Sequence, residues 1–147
     1  MTAGPWTPTN ATLTKILNGT FDWDSDTFKV ALLLSTSNIS TSSTAFSGVS
    51  NEHSNGNGYT TGGETVAFTL TGTTSVTVHF TSNPEWEADG GDIVARYACI
   101  YEDGGDVAFF MELDDSPADV TVTDGNLLVL RNSTGDASPV FTLSVAS

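Results

Sequence analysis

The sequence predicts an all-β protein: a single-domain antiparallel β-sandwich of jelly-roll type with an extended N-terminal arm. Three observations predict it. Short apolar runs alternate with threonine or other polar residues at period two, the mark of half-buried strands. Turn residues such as Asn-Gly, Gly-Thr-Thr and Asp-Gly-Gly separate the runs at hairpin spacing. No stretch of about ten residues repeats its apolar positions at convincing helical spacing. A chain of 147 residues fits one domain with room for a core that needs no staples.

Residues 1–12 hold Pro5, Pro8 and Trp6 among small polar residues and read as the arm; residues 13–147 form the sandwich. Trp6 has a large apolar area to bury, so it is expected to dock, and on a neighbour rather than on its own domain. On that reading the arm is dispensable for folding. Leu13 to Asn18 is a short strand or a helical turn, closed by Asn18-Gly19. Asp22, Asp24 and Asp26 surround a second turn, and Phe28 to Leu34 reads as a fully buried strand. Residues 35–58 are rich in Ser, Thr, Asn and Gly, with apolar anchors at Ile39, Phe46 and Val49. So long a loop is either a functional surface or holds a short element of its own.

"GNGYTTGG" packs four glycines before a strand in which Val66, Phe68 and Leu70 alternate with threonines. A phosphate-cradling loop needs a helix behind it, and a strand follows here, so the nucleotide reading fails. Gly58, Gly62 and Gly63 are expected to supply positive φ or to let Tyr59 pack over bare backbone, as a framework turn. After a Gly72–Ser75 turn, Val76, Val78 and Phe80 repeat the alternation, with His79 on the polar face. An acidic loop centred on Trp86 precedes a strand over Ile93–Tyr101. There Ile93, Ala95, Tyr97, Cys99 and Tyr101 share one face, and Val94, Arg96, Ala98 and Ile100 the other. Both faces are fairly apolar, which predicts a central strand covered by a loop or a subunit. Phe109, Met111 and Leu113 then alternate with Phe110, Glu112 and Asp114. Val120–Thr123, Asn126–Arg131 and Val140–Val145 bring the total to about eight or nine strands.

Charge is the most unusual property. Four basic side chains face 18 acidic ones, for a net charge of −14. Such a surface repels phosphate, so neither nucleic acid nor anionic lipid is an expected partner. The charge serves solubility or a saline medium, where screening relieves self-repulsion. Cys99 is the one cysteine, so no intrachain disulfide forms, and its apolar surroundings mark it as core filler. The N-terminus lacks the basic start and apolar stretch of a secretory signal, and synthesis in a cytoplasm is expected.

No catalytic, cofactor-binding or metal-binding set is read from the sequence. Asp22, Asp24 and Asp26 resemble the start of a calcium loop, but Thr27 and Leu33 stand where glycine and a bidentate carboxylate are needed. Their side chains are expected to bond their own turn. Glu85, Glu87, Asp89 and Asp92 offer a looser oxygen cluster, more simply read as solvated. His53 and His79 belong to no recognisable acid–base constellation. Arg96, mid-strand among apolar residues, needs an acidic partner, within the chain or across a subunit contact.

"LNGTFDWDSDTFKVALLLSTS", "GNGYTTGGETVAFT" and "IVARYACIYEDGG" occur in an order that resembles small structural proteins of tailed bacteriophages. The resemblance covers roughly residues 16–113. It implies a non-enzymatic virion protein: a capsid decoration (cement) protein on the outer head surface, bound to the major capsid protein and to itself as a homotrimer. It also implies framework roles for Gly58, Tyr59, Gly62, Gly63, Trp86, Arg96 and Tyr97. Trp6, Phe46, Trp86 and Arg96 are the expected interface residues. The alternatives are a tail or fibre accessory protein, or a carbohydrate-binding module that stacks a host-surface glycan on Trp86.

Overall fold

The computed structural model describes residues 2–145, so Met1, Ala146 and Ser147 of the predicted arm and sandwich lie outside it. In chain order the elements are β1 (Thr7–Pro8), α1 (Thr12–Leu17), β2 (Phe28–Leu33), β3 (Glu64–Val66), β4 (Phe68–Thr71) and β5 (Ser75–Phe80). There follow β6 (Glu85–Glu87), β7 (Ile93–Ala95), β8 (Tyr97–Glu102), β9 (Val107–Glu112), β10 (Val120–Val122), β11 (Leu127–Val129) and β12 (Phe141–Ser144). The protein is all-β, with antiparallel sheets packed on one another. One sheet has the order β1-β9-β8-β2-β3 and another the order β12-β5-β4; β7/β10 and β6/β11 form two short ribbons.

Alternation decides which residues enter the core. Phe28, Val30 and Leu32 of β2, Ile100 of β8 and Phe109 and Met111 of β9 point between the sheets, where they meet Phe68, Val78 and Phe80. The intervening residues Ala31, Leu33, Cys99, Tyr101 and Val107 form a second cluster on the opposite face of the same sheet. Ile39, Phe46 and Val49 of the long loop cover it. The two apolar faces of the central strands are thus explained by a loop. That loop contains a 3-10 turn at Phe46–Gly48 and bridges Leu33 to Glu52 and Ala45 to Asp106.

Three strand readings change in detail. The run 64–71 belongs to two sheets: β3 pairs with β2, and β4 pairs with β5. The crossing falls at Ala67, whose carbonyl accepts the Thr81 N–H. The run 93–101 is broken at Arg96. Its N–H donates to the Leu33 carbonyl and its carbonyl accepts from Leu113 N–H, which shifts the alternation by one residue. Ile93 and Ala95 therefore share the main core with Ala98 and Ile100, while Tyr97, Cys99 and Tyr101 face the loop. In β9, Phe109 lies opposite Ile100 and Val107 opposite Tyr101, which leaves Ala108 as a bulge.

That bulge anchors the N-terminal segment. The Ala108 carbonyl accepts the Thr9 N–H at 3.1 Å and the Thr12 hydroxyl at 2.6 Å. Of the two readings of Leu13 to Asn18 the helical one holds: residues 13–17 lie in α1 and Asn18 is its C-cap. The segment expected as a free arm is extended, but it lies against the body: Gly4 N–H donates to Glu112, and β1 pairs with β9. Trp6 is 9% exposed, edge-on to Phe80, and its indole N–H donates to Asn132. It docks on its own domain, not on a neighbour, because Phe80 and Asn132 offer both an apolar wall and a polar partner. Truncation of residues 1–12 should consequently lower the thermal midpoint rather than leave the fold intact. Trp6→Ala should cost about 3 kcal/mol in a denaturant titration.

Candidate functional site

The glycine-rich turn is a structural joint. Gly56, Gly58, Gly62 and Gly63 all have positive φ. A Cβ on Gly58 would lie 1.8 Å from the Glu87 carbonyl oxygen, and one on Gly63 would lie 1.9 Å from that of Val30. These two glycines let the turn press against β6 and β2 at once. Tyr59 enters the space so made. Its ring packs on His53 and Trp86, and its hydroxyl donates to Glu52 Oε1 at 2.7 Å and accepts the Leu32 N–H. Glu52 also accepts the Gly62 N–H, and the Tyr101 hydroxyl donates to the Gly62 carbonyl. Burial first, then the Glu52 carboxylate, pushes the Tyr59 hydroxyl far above its ordinary range, so it remains a neutral hydrogen-bonding post.

The expected interface residues are placed as follows. Trp86 is only 2% exposed, so its indole is a core wall beneath Tyr59 and offers no platform to a sugar or a subunit. Arg96 Nε donates to Asp119 Oδ1 at 2.8 Å, so its acidic partner lies within the chain. Phe46 is half-buried and stacks on Tyr101 with ring centroids 3.6 Å apart. It borders a cleft of about 390 Å³ with Lys29, Glu52, Gly62 and Asp103. Trp6 and Trp86 also border clefts, but both are buried, so of the four Phe46 keeps the most accessible aromatic ring. A further cleft, about 620 Å³ beside Trp6, has Arg131 as its one titratable lining residue among those described.

Most groups with chemical potential are engaged structurally, although the buried Nδ1 of His79 has no hydrogen-bond partner among the described residues. Cys99 is fully buried and desolvation pushes its thiol well above the ordinary range, which keeps it protonated. His53 Nδ1 lies 2.8 Å from the Ser54 carbonyl. His79 stands on the other sheet, opposite Thr69. Asp22 Oδ1 accepts the Asp24 N–H and Asp26 Oδ2 accepts the Asp22 N–H, so this triplet bonds its own turn. In the acidic loop, Asp92 Oδ1 accepts the Asp124 N–H and Asp124 Oδ1 accepts the Gly90 N–H. Among the described residues no three His, Cys, Asp or Glu converge as a cation site.

The distribution of charge leaves two regions without an ionic group, one of them a whole sheet. Residues 65–84 and 137–145 contain no Asp, Glu, Lys or Arg, and these segments supply all three strands of the β12-β5-β4 sheet. Residues 30–51, which cover the opposite side, are also uncharged. The carboxylates lie in the turns, the short ribbons and the strand ends. The outer face of the β12-β5-β4 sheet is hydroxylic: Thr69 bonds Thr81, Thr71 bonds Thr77 and Ser75 bonds Ser144, at 2.6–2.9 Å. Its other face extends past the core, with Leu70 45%, Leu143 40% and Val145 75% exposed. Sequence reasoning saw the alternation of these strands but missed that their uncharged segments assemble into one sheet. The gaps in the charge pattern were the available signal.

Comparison with protein-family models, curated proteins and solved structures finds no match for the chain. Gly63→Ala should destabilise by about 3 kcal/mol or more in denaturant unfolding, since the added Cβ must displace the β2 backbone. Asp136 supplies a pH test. Hydrogen bonds from Asn83 first, then from Ser133, hold its carboxyl below the ordinary range. A depressed folded-state value stabilises above the unfolded pKa and ceases to do so as pH falls through the lowered one. Asp136→Asn should therefore show a smaller acid-induced loss of thermal midpoint than the native chain between about pH 5 and pH 2.

Proposed function

We propose that this chain is a non-enzymatic structural protein of a tailed-bacteriophage particle, and most concretely a decoration protein that binds across subunits of the head shell. The observation that carries this reading is the segregation of charge. A chain of net charge −14 presents one entire sheet without an ionic group. An acidic protein that must sit close to copies of itself and to a shell needs such a face, because desolvating unpaired carboxylates at a contact is costly. The remaining carboxylates keep decorated particles dispersed. Binding only the assembled shell stabilises it by mass action, without any reaction.

The β4 and β5 hydroxyl rows are preorganised by their own hydrogen bonds, so little side-chain entropy is lost when a partner covers them. Glu or Lys placed among them at Thr77 would bring an unpaired charge into the contact. Purified chain added to particles that lack it should bind saturably, with copy number by quantitative mass spectrometry tracking the shell lattice. Thr77→Glu should weaken that uptake at least about tenfold while the circular dichroism spectrum stays native. Equal uptake by the variant, or no uptake by the native chain, defeats the reading. Copies confined to the tail would assign the protein to a tail or fibre accessory role instead.

A glycan-binding reading has one observation in its favour, the cleft beside Phe46. Aromatic stacking next to Lys29, Glu52 and Asp103 suits a sugar ring with several hydroxyls. Glycan-array binding that disappears in Phe46→Ala would support it.

A further inference from the structure

Edges of sheets attract strands from other molecules, and proteins guard them with charge, proline or a covering segment. Three edges here are guarded by charge or proline, and the uncharged β7, β10 and β11 are only three residues long. β1 follows Pro5 and ends at Pro8, β3 begins at Glu64, and β6 carries Glu85 and Glu87. β12 is different. It is an end strand of the uncharged sheet, and Thr142, Leu143, Ser144 and Val145 are all exposed. No charged residue and no proline lies within Phe141–Val145.

We propose that two copies of this chain pair along β12, antiparallel about a two-fold axis at Leu143, so that two three-stranded sheets become one of six strands. The proposal rests on the reading of this sheet as the assembly face, and it names the occupant of its edge. The sequence itself selects a second copy. Phe141-Thr142-Leu143-Ser144-Val145 has a polarity pattern that is symmetric about its centre. In an antiparallel pair with that centre, Leu143 meets Leu143 of the second copy, Phe141 meets its Val145, and Thr142 meets its Ser144. Apolar side chains then oppose apolar ones on the inner face, and hydroxyls oppose hydroxyls on the outer face. A shift by one residue would set Leu143 opposite Ser144 on one face and mix apolar with hydroxylic side chains on both, so the register is specified.

Charge points to the same occupant. A cationic partner would be drawn to the carboxylate-rich turns and ribbons rather than to this edge. Two copies, each at −14, can approach through the uncharged sheet with their carboxylates held apart. The contact is isologous and closes at two, so it does not propagate into a filament. The other end strand, β4, repeats the pattern as Phe68-Thr69-Leu70-Thr71, but Phe68 is buried and Thr69 half-buried, so it presents less free edge than β12.

The test uses the full chain alone. Sedimentation equilibrium at up to about 100 µM should show a dimer, and Leu143→Lys should raise its dissociation constant at least about tenfold. The direction is diagnostic: a lysine lowers the net repulsion between copies, and only its placement opposite its own counterpart makes it weaken association. Leu143→Cys should cross-link under mild oxidation, since opposed residues in an antiparallel pair lie within disulfide reach, whereas Leu70→Cys should not. Cys99, fully buried, does not compete. A native chain that stays monomeric overturns the pairing. So does an oligomer that Leu143→Lys leaves intact, or a cross-link formed as fast through Leu70→Cys. A monomer that still coats particles would overturn the pairing alone and leave the reading of the face as an assembly surface standing.

Discussion

Trp23 joins the two sheets, and much of the remaining architecture follows from its position. Its indole stacks on Phe28 at 4.4 Å, meets Phe68 edge-on at 4.8 Å and Phe141 at 5.1 Å, and lies 5.9 Å from Phe109. Phe28 and Phe109 belong to the five-stranded sheet, Phe68 and Phe141 to the three-stranded one. Each aromatic pair contributes about 0.5–1.5 kcal/mol beyond area burial, so one side chain concentrates several inter-sheet contacts. The Asp22–Asp26 turn holds Trp23 at that place through bonds among its own carboxylates and N–H groups. With Phe141 fixed against Trp23 and Phe109, the start of β12 is clamped in the core while Thr142 onward projects beyond it.

The sequence made the strands legible because period-two alternation is a local property. It did not reveal where a strand changes sheet. Nothing in Val66-Ala67-Phe68 distinguishes a continuous strand from one that crosses at Ala67, since a small residue fits either. The break at Arg96 was hidden for a related reason: tyrosine and cysteine on one side and alanine and isoleucine on the other are all tolerated in a core, so the phase of the pattern could not be read. Trp23 was obscured by the aspartates around it, which describe the turn but not the ring it carries inward. Trp6 was misassigned because its partner, Asn132, is 126 residues away.

The glycine-rich turn was more legible than any other site, and for a physical reason. Positive φ and bare backbone contact are requirements that few residues meet, so clustered glycines before a strand constrain the answer strongly. The long loop illustrates the reverse. Ile39, Phe46 and Val49 are isolated anchors whose use depends on a sheet face formed by strands distant in sequence. Their role as its cover appears only when Ala31, Leu33, Cys99 and Tyr101 are seen to share that face.

The same reasoning separates what the fold requires from what it leaves over. Folding accounts for the apolar packing of the buried Trp86, the Arg96–Asp119 pair, the protonated Cys99 and the bonded acidic turns, although the Trp86 indole N–H itself has no hydrogen-bond partner among the described residues. It does not account for β12. Single exposed apolar residues are ordinary on a protein surface. An uncharged edge strand carrying exposed Leu143 and Val145 is a hazard to a monomer, and a carboxylate at Thr142 or Ser144 would remove it at little cost to the core. In a chain with 18 carboxylates, their confinement to other segments is a consistent departure from the design of a solitary protein. The departure falls on one sheet, and at its exposed edge the polarity pattern is its own complement, so the simplest physical account of that edge is that it is covered by another copy when the protein works.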